Sequence, residues 1–135
     1  MLAATLGTRS AKLVLLAALA MLLAPAPASA GDSVVGDAAV GKVAFILYCS
    51  PCHGETGKGD GPAGIALDPP PRDFTTANFK FDTNGDGVAG SDADLKDAIT
   101  KGGIPYNGSP LMAPWLTFTD TDVANLIAHI RTLKQ

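Results

Sequence analysis

Five consecutive residues, Cys49-Ser50-Pro51-Cys52-His53, constrain this chain more than any other part of its sequence. They contain the only two cysteines among the 135 residues and one of the two histidines. The pattern C-x-x-C-H is the attachment signature of c-type haem: two thiols form thioethers with the vinyl groups, and the next histidine reaches the iron. The motif therefore predicts one covalent haem c, bound through Cys49 and Cys52, with His53 as an axial iron ligand.

A C-x-x-C pair has other uses, and the rest of the sequence argues against them. The pair could form a disulfide or a thioredoxin-type redox couple in an oxidising compartment. A redox couple of that type expects a strand before the motif, whereas Asp37–Tyr48 has apolar residues at helical spacing. A zinc site needs two further ligands at suitable spacing, and only two cysteines and two histidines are present.

The first 30 residues are predicted to be a secretory signal peptide. Arg9 and Lys12 supply positive charge, Leu13–Ala24 is a run of 12 apolar residues, and Ala28-Ser29-Ala30 is a small-x-small cleavage site. The run is shorter than the roughly 20 residues of a spanning helix, so an uncleaved anchor is the less favoured alternative. We expect cleavage after Ala30, a mature domain at 31–135 and a periplasmic location.

The predicted mature domain is acidic and rich in loop-forming residues. It has eight Lys and Arg against thirteen Asp and Glu, a net charge of −5. Nucleic acids and anionic membrane surfaces both recruit basic patches, so neither is expected as the main partner. With 14 glycines and 8 prolines in about 105 residues, something besides side-chain packing is expected to complete the core.

Three segments of the mature domain are predicted to be helices, and none is predicted to be a strand. Asp37–Tyr48 precedes the motif, and a capping-box pattern at Ser91 begins a short helix that ends near Lys101. A second capping box at Thr119 begins the last helix, Asp120–Leu133. The segments between them are rich in glycine and proline and are predicted to be loops, so the fold class is all-α.

Met112 is the predicted second axial ligand because it is the only methionine of the mature domain. It lies in a loop, Gly108–Trp115, where a methionine is badly placed for a helical core stripe. The alternative role of a lone methionine is to fill a gap in the core. The competing ligand is His129, which is interpreted as a helix residue that packs or faces water. A His/Met pair raises the reduction potential and leaves no open iron position for a substrate.

These residues together resemble class I c-type cytochromes, the small soluble family with axial His and Met. Gly41 and Phe45, the latter four residues before Cys49, resemble the pair on the N-terminal helix that packs against the last helix. The last helix carries Leu126–Ile130 at the matching place, with His129 where an aromatic residue is usual. The resemblance implies a cytochrome c fold, in which the N- and C-terminal helices cross and loops wrap one haem.

The resemblance also implies roles for residues around the haem. Pro62 resembles the proline whose carbonyl accepts a hydrogen bond from the axial histidine, and Trp115 resembles the aromatic that often shields a haem propionate. Tyr106 and Arg72 are candidates for propionate contacts, although an exposed loop arginine is more often simply solvated. Parts of the stretch 70–95 loosely resemble a bacterial subgroup that serves periplasmic respiratory oxidoreductases.

The predicted function is one-electron transfer between redox partners of a respiratory chain, performed by a monomer that is not itself an enzyme. One alternative is a haem-carrying subunit of a periplasmic oxidoreductase. Another is a haem sensor or peroxidase in which Met112 is a labile ligand. A catalytic or sensing haem needs an open or labile sixth position, so carbon monoxide binding to the reduced protein would distinguish it from a carrier.

The segment 82–87, Asp-Thr-Asn-Gly-Asp-Gly, fits the start of a calcium-binding loop, D-x-N-x-D-G. The candidate ligands are Asp82, Asn84, Asp86 and Asp92. The twelfth position of such a loop normally carries glutamate, but here it is Ala93, so a neighbouring aspartate would have to supply the missing ligand. The alternative is a polar turn that leads into the helix capped by Ser91.

Overall fold

The helix before the motif continues through it. In the computed structural model, which describes residues 35–135, helix α1 is Ala38–Ala44. A π-helical turn, Phe45–Cys49, follows, and helix α2, Ser50–His53, completes the run. The helix predicted to stop at Tyr48 therefore extends to His53, with a wider turn in the middle of the kind that often marks functional sites.

The two later helices begin where their capping boxes predict. Helix α3 is Asp92–Lys101 and helix α4 is Asp120–Thr132, and both capping boxes are fully formed. One short 3-10 turn, Ile104–Tyr106, lies in a segment predicted to be loop. The all-α fold class is confirmed for residues 35–135, which contain no strand. The predicted signal peptide lies outside this range.

Helices α1 and α4 cross with their backbones in contact. A Cβ atom on Gly41 would overlap the carbonyl group of Asn125, so only glycine allows this approach. The side chain of Asn125 is 8 % exposed and its Oδ1 accepts a hydrogen bond from the backbone N–H of Asp37 at 2.7 Å. Asp37 in turn caps α1, because its carboxylate accepts from the N–H of Ala39 at 2.8 Å. The crossing expected from the resemblance is confirmed.

The core lies along this crossing. Phe45 and Leu126 are fully buried, and Val123 is 1 % exposed. The buried apolar residues come from the π turn, from the segment after the motif, and from α3 and α4; they are Phe45, Phe74, Leu95, Ile99, Val123, Leu126, Ile127 and Ile130. Because Phe45 lies only four residues before Cys49, the same packing that forms the core also positions the motif.

His129 is a buried member of the crossing and does not face water. It is 6 % exposed, and its ring packs edge-on against Phe45 with centroids 5.1 Å apart. It therefore takes the packing place of the aromatic residue that is usual there. Its Nε2 atom is buried without a hydrogen-bond partner. Burial lowers the pKa of His129, and the positive charge of Lys42 on α1 lowers it further, so the ring is neutral near pH 7.

Among residues 35–135 no helix is both long enough and apolar enough to cross a bilayer.

Replacing Gly41 with alanine should lower the free energy of unfolding by about 1–3 kcal/mol, because the new methyl group forces α1 away from the Asn125 carbonyl. Urea denaturation of the haem-loaded protein measures the loss. Val43→Ala, on the exposed side of α1, is the matched control and should change stability by less than about 0.5 kcal/mol. Equal midpoints for Gly41→Ala and the wild type would contradict the close crossing.

Replacing His129 with phenylalanine should make the protein less sensitive to acid. The pKa of His129 is lower in the folded than in the unfolded protein, so the unfolded chain binds the extra proton first. Wild-type stability is therefore lost as pH falls through about 6.5, by at most about 1.4 kcal/mol per pH unit. The urea midpoint should fall more between pH 8 and pH 5 in the wild type than in His129→Phe. An equal fall in the two proteins would show that His129 does not titrate in this range.

Candidate functional site

The two thiols and the imidazole of the motif lie within a single helical stretch. Cys49 is the last residue of the π turn, and Cys52 and His53 belong to α2. All three are partly buried, and both cysteines are free thiols. The hydroxyl of Ser50 donates to the carbonyl of Ile46 at 2.7 Å and so bridges the widened turn.

The loop after the motif satisfies the last carbonyls of α2. The backbone N–H of Gly59 donates to the carbonyl of His53 at 2.8 Å, and that of Gly61 donates to Cys52 at 3.2 Å. A helix end leaves such carbonyls without intrahelical partners, so these bonds replace a cap. A Cβ atom at Gly64 would overlap the Cys52 carbonyl, so glycine is needed for the loop to lie against the motif.

The imidazole of His53 is oriented by backbone and by a ring. Its Nδ1 lies 3.1 Å from the carbonyl oxygen of Arg72, which can only accept, so Nδ1 carries the proton and Nε2 presents its lone pair. The ring of Phe74 stacks on it with centroids 4.6 Å apart and an interplanar angle of 16°. Burial lowers the pKa of His53, which favours the neutral form that binds metals.

The resemblance implied that the carbonyl of Pro62 accepts a hydrogen bond from His53. In the structure the acceptor is the carbonyl of Arg72. Pro62 is exposed, because its loop turns toward the backbone of α2, where Ala63 N–H donates to the Pro51 carbonyl at 2.9 Å. The chain returns past His53 at Arg72, ten residues after Pro62. It is held there by Phe74, whose N–H donates to the Gly57 carbonyl at 2.7 Å. Pro62 as a residue near a haem group remains a prediction.

The thiols lack the electrostatics of a redox-active pair. Burial, and to a lesser extent the neighbouring Cys52, raises the pKa of the Cys49 thiol to about 11. Thioredoxin-type catalysis requires a thiol whose pKa is lowered so that the thiolate forms near neutral pH. The pair therefore suits covalent attachment better than thiol exchange.

Met112 is half-buried in a loop that is fixed at both ends. Its carbonyl accepts from Gly103 N–H at 2.9 Å, just beyond the end of α3, and its own N–H donates to Ser109 at 3.1 Å. Three residues later, Trp115 N–H donates to the Ile99 carbonyl at 3.0 Å. The loop is therefore held against α3.

Trp115 connects this loop to the motif. Its ring lies 5.2 Å from Tyr48, the residue before Cys49, and stacks on Phe118 with centroids 5.1 Å apart. The predicted contact of Trp115 with a propionate remains a prediction. The hydroxyl of Tyr106, another propionate candidate, lies 3.4 Å from a carboxylate oxygen of Asp97.

The predicted calcium site is not supported. Asp92 is turned away from the loop, since Arg131 donates to its carboxylate at 2.7 Å. Asp82 and Asp86 instead accept hydrogen bonds from backbone N–H groups of the turn itself, Gly87 to Asp82 at 2.9 Å and Val88 to Asp86 at 2.8 Å. Across residues 35–135, no three His, Cys, Asp or Glu side chains converge on a metal position. These hydrogen bonds are those of the polar turn in the alternative interpretation.

What sequence reasoning missed is a buried carboxylate beside this turn. Asp94 is 1 % exposed and accepts from the N–H and hydroxyl groups of both Ser91 and Thr83, at 2.6 to 2.8 Å. These hydrogen bonds, those of Ser91 first, hold the pKa of Asp94 well below its usual range. The sequence shows the capping box at Ser91, but it gives no sign of the two hydrogen bonds that Thr83 donates to Asp94.

Comparison with models of known protein families identifies the family of this chain. The family model described as Cytochrome c matches residues 38–134, most of the chain and all of the helices above. The protein is a member of the cytochrome c family. The expectation of a c-type cytochrome is thereby confirmed, and the family implies a covalent haem c and a role in electron transfer.

A solved structure resembles this cytochrome over much of its length. It is a chain of the Kuenenia stuttgartiensis reducing HAO-like protein complex Kustc0457/Kustc0458, with 34 % identity and a TM-score of 0.59. The match covers 70 % of the present chain but only 41 % of the other one. No curated protein sequence matches the cytochrome significantly.

The residues around the motif fit a covalent haem. Two free thiols would attach such a haem, and the His53 imidazole, with Nδ1 bound to a carbonyl, presents Nε2 as a donor for its iron. When bound, the haem iron supplies the chemistry by gaining and losing one electron. The chain's own contribution is to orient His53 through Arg72, to hold the Met112 loop against α3, and to surround the site with apolar side chains.

Proposed function

We propose that this cytochrome is an exported monohaem electron carrier of class I, with His53 and Met112 as axial ligands and Cys49 and Cys52 as covalent anchors. The observation that carries the proposal is the orientation of His53. Its Nδ1–H is bound to the Arg72 carbonyl at 3.1 Å, which leaves the lone pair of Nε2 to bind a metal. A second-shell acceptor of this kind fixes the ring and makes it a stronger donor to a metal.

Several aliphatic residues close to Met112 or to the motif in the sequence are exposed and offer apolar surface that a porphyrin could cover. Ile104, Leu111 and Leu116 lie within eight residues of Met112, and each is at least 67 % exposed. Ile65, in the loop after the motif, is 70 % exposed. Covering even part of this surface with a porphyrin would stabilise the domain at about 25 cal/mol per Å² of apolar area.

Two fixed axial ligands suit electron transfer better than catalysis. A ligand set that stays the same in both oxidation states needs little rearrangement, and it leaves no iron position for a substrate. Hydrogen bonds hold both segments that carry the proposed ligands. His53 is held by the Arg72 carbonyl, and the Met112 loop is held by Gly103 N–H. In this proposal the thiols hold the porphyrin. Phe45 and Leu126 are fully buried in the core next to the helical stretch that carries the motif.

The proposed setting is the periplasm, reached through cleavage of the signal peptide after Ala30. The proposed partners are redox proteins of a respiratory chain, contacted through small and transient interfaces typically below about 1,200 Å². The predicted net charge of −5 disfavours partners with strongly acidic docking faces, because like charges repel.

Replacing Met112 with alanine should remove the weak long-wavelength absorption of methionine sulfur on ferric iron while the covalent haem spectrum stays. The reduced variant should also bind carbon monoxide, which the wild type should resist at neutral pH, because alanine leaves the sixth position open. Optical spectra of the exported protein, produced with cytochrome c maturation factors, measure both effects.

Leu111→Ala, the adjacent and exposed residue of the same loop, is the matched control and should keep the sulfur band. A wild type with covalent haem but no sulfur band would contradict Met112 as a ligand. In that case a sensor or a peroxidase with an open site becomes the better interpretation.

A haem-carrying subunit of a periplasmic oxidoreductase is the second candidate function. One observation favours it: the similar solved chain comes from a reducing HAO-like protein complex, and that chain is more than twice as long as the matched part. The carrier proposal expects the natively purified protein to sediment as a monomer of mature size. Sedimentation at the mass of a stable complex, resistant to high salt, would favour the subunit.

A further inference from the structure

One short segment, 72–74, contacts the imidazole of His53 from two directions. The carbonyl of Arg72 lies 3.1 Å from Nδ1 at the edge of the ring. Two residues on, the ring of Phe74 lies against the face of the imidazole, with centroids 4.6 Å apart and planes 16° apart. The edge contact and the face contact therefore come from the same piece of backbone.

This segment is itself firmly held. Phe74 N–H donates to the Gly57 carbonyl at 2.7 Å, which joins the segment to the loop that follows the motif. The carboxylate of Asp73 accepts from Thr75 N–H at 2.8 Å and from its hydroxyl at 2.6 Å, which fixes the turn between them. The segment therefore has little freedom to move relative to His53.

The ring of Phe74 is also held by its neighbours. It is 8 % exposed. Phe45 meets it edge-on at 6.1 Å, and Phe79 stacks with it at 6.1 Å and 29°. A ring packed in this way stays in one rotamer, so it can act as a flat reference surface for the imidazole.

We propose that Phe74 is a positioning residue that fixes the plane of the His53 imidazole on the haem iron. The inference rests on the proposed function, in which His53 is an axial ligand. A single hydrogen bond at Nδ1 sets where the ring edge points but lets the ring rock about the Nδ1–oxygen line. A flat face at stacking distance removes that freedom, so the hydrogen bond and the stack together define one orientation.

The orientation of an axial imidazole has a direct spectroscopic readout. In a low-spin ferric haem it determines how the unpaired electron is distributed over the four pyrroles. The paramagnetic shifts of the haem methyl protons follow that distribution. With the sixth ligand unchanged, a difference in the pattern of these shifts between two variants therefore reports a difference in the imidazole plane, independently of electron-transfer activity and of overall stability.

The test is proton NMR of the ferric, haem-loaded protein with Phe74→Leu. Leucine keeps the apolar contact and removes the flat face, so we expect a changed spread and order of the haem methyl shifts. Phe74→Tyr keeps the aromatic face and should retain the wild-type pattern. Phe74→Met, which fills irregular space well, takes the place of the leucine variant if that variant does not retain haem.

Two matched controls separate positioning from core packing. Phe45→Leu and Phe79→Leu each remove a ring that contacts Phe74 but stacks on no face of His53. Both should change the methyl shifts less than Phe74→Leu does, although Phe45 is the more deeply buried residue.

A methyl pattern unchanged in Phe74→Leu, or changed as much in Phe45→Leu, would overturn the inference. Failure of the proposed function looks different. Absence of the strongly shifted Met112 methyl signal from the wild type would contradict the proposed axial pair. The Phe74 comparison would then be made on the cyanide-bound ferric proteins, which are low-spin whatever the natural sixth ligand.

Discussion

The close contact of α1 and α4 at Gly41 is the interaction on which the rest of this cytochrome depends. Because α1 runs without a break into the π turn and α2, the depth at which the helices cross also sets the depth of the motif. Phe45 is fully buried one turn after Gly41, and Cys49 follows one turn later. A side chain at Gly41 would separate the helices and displace the haem-binding turn with them.

Backbone atoms rather than side chains form much of the site. The last carbonyls of α2 accept from N–H groups of the following loop, and the Arg72 carbonyl accepts from His53. This explains why the loop contains so many glycines, since Gly61 and Gly64 must approach α2 more closely than a Cβ atom would allow. A rigid backbone around His53 would suit the proposed role of an iron ligand whose geometry stays the same in both oxidation states.

The long loop before α3 is stabilised by buried and charged hydrogen bonds. Asp94 joins Thr83 to the capping box at Ser91, and Arg131 joins α4 to Asp92 and to the Gly90 carbonyl at 2.6 Å. Arg131 also lies over the ring of Phe79, 5.1 Å from its centroid. Of the carboxylates that suggest calcium in the sequence, Asp82 and Asp86 accept from backbone N–H groups and Asp92 from the Arg131 guanidinium.

The sequence by itself indicated the C-x-x-C-H motif and the three helices, because each is encoded by local spacing, whereas the Gly41–Phe45 pair was indicated by a family resemblance. A capping box or a C-x-x-C-H motif needs only neighbours within a few residues. Contacts between distant segments were decided by the tertiary structure alone. The acceptor at His53 came from Arg72 and not from Pro62, Phe74 stacked on the imidazole, His129 was buried against Phe45, and Asp92 paired with Arg131. None of these has a sequence signature, because a backbone carbonyl is the same at every residue and a stacking partner is selected by where a loop returns.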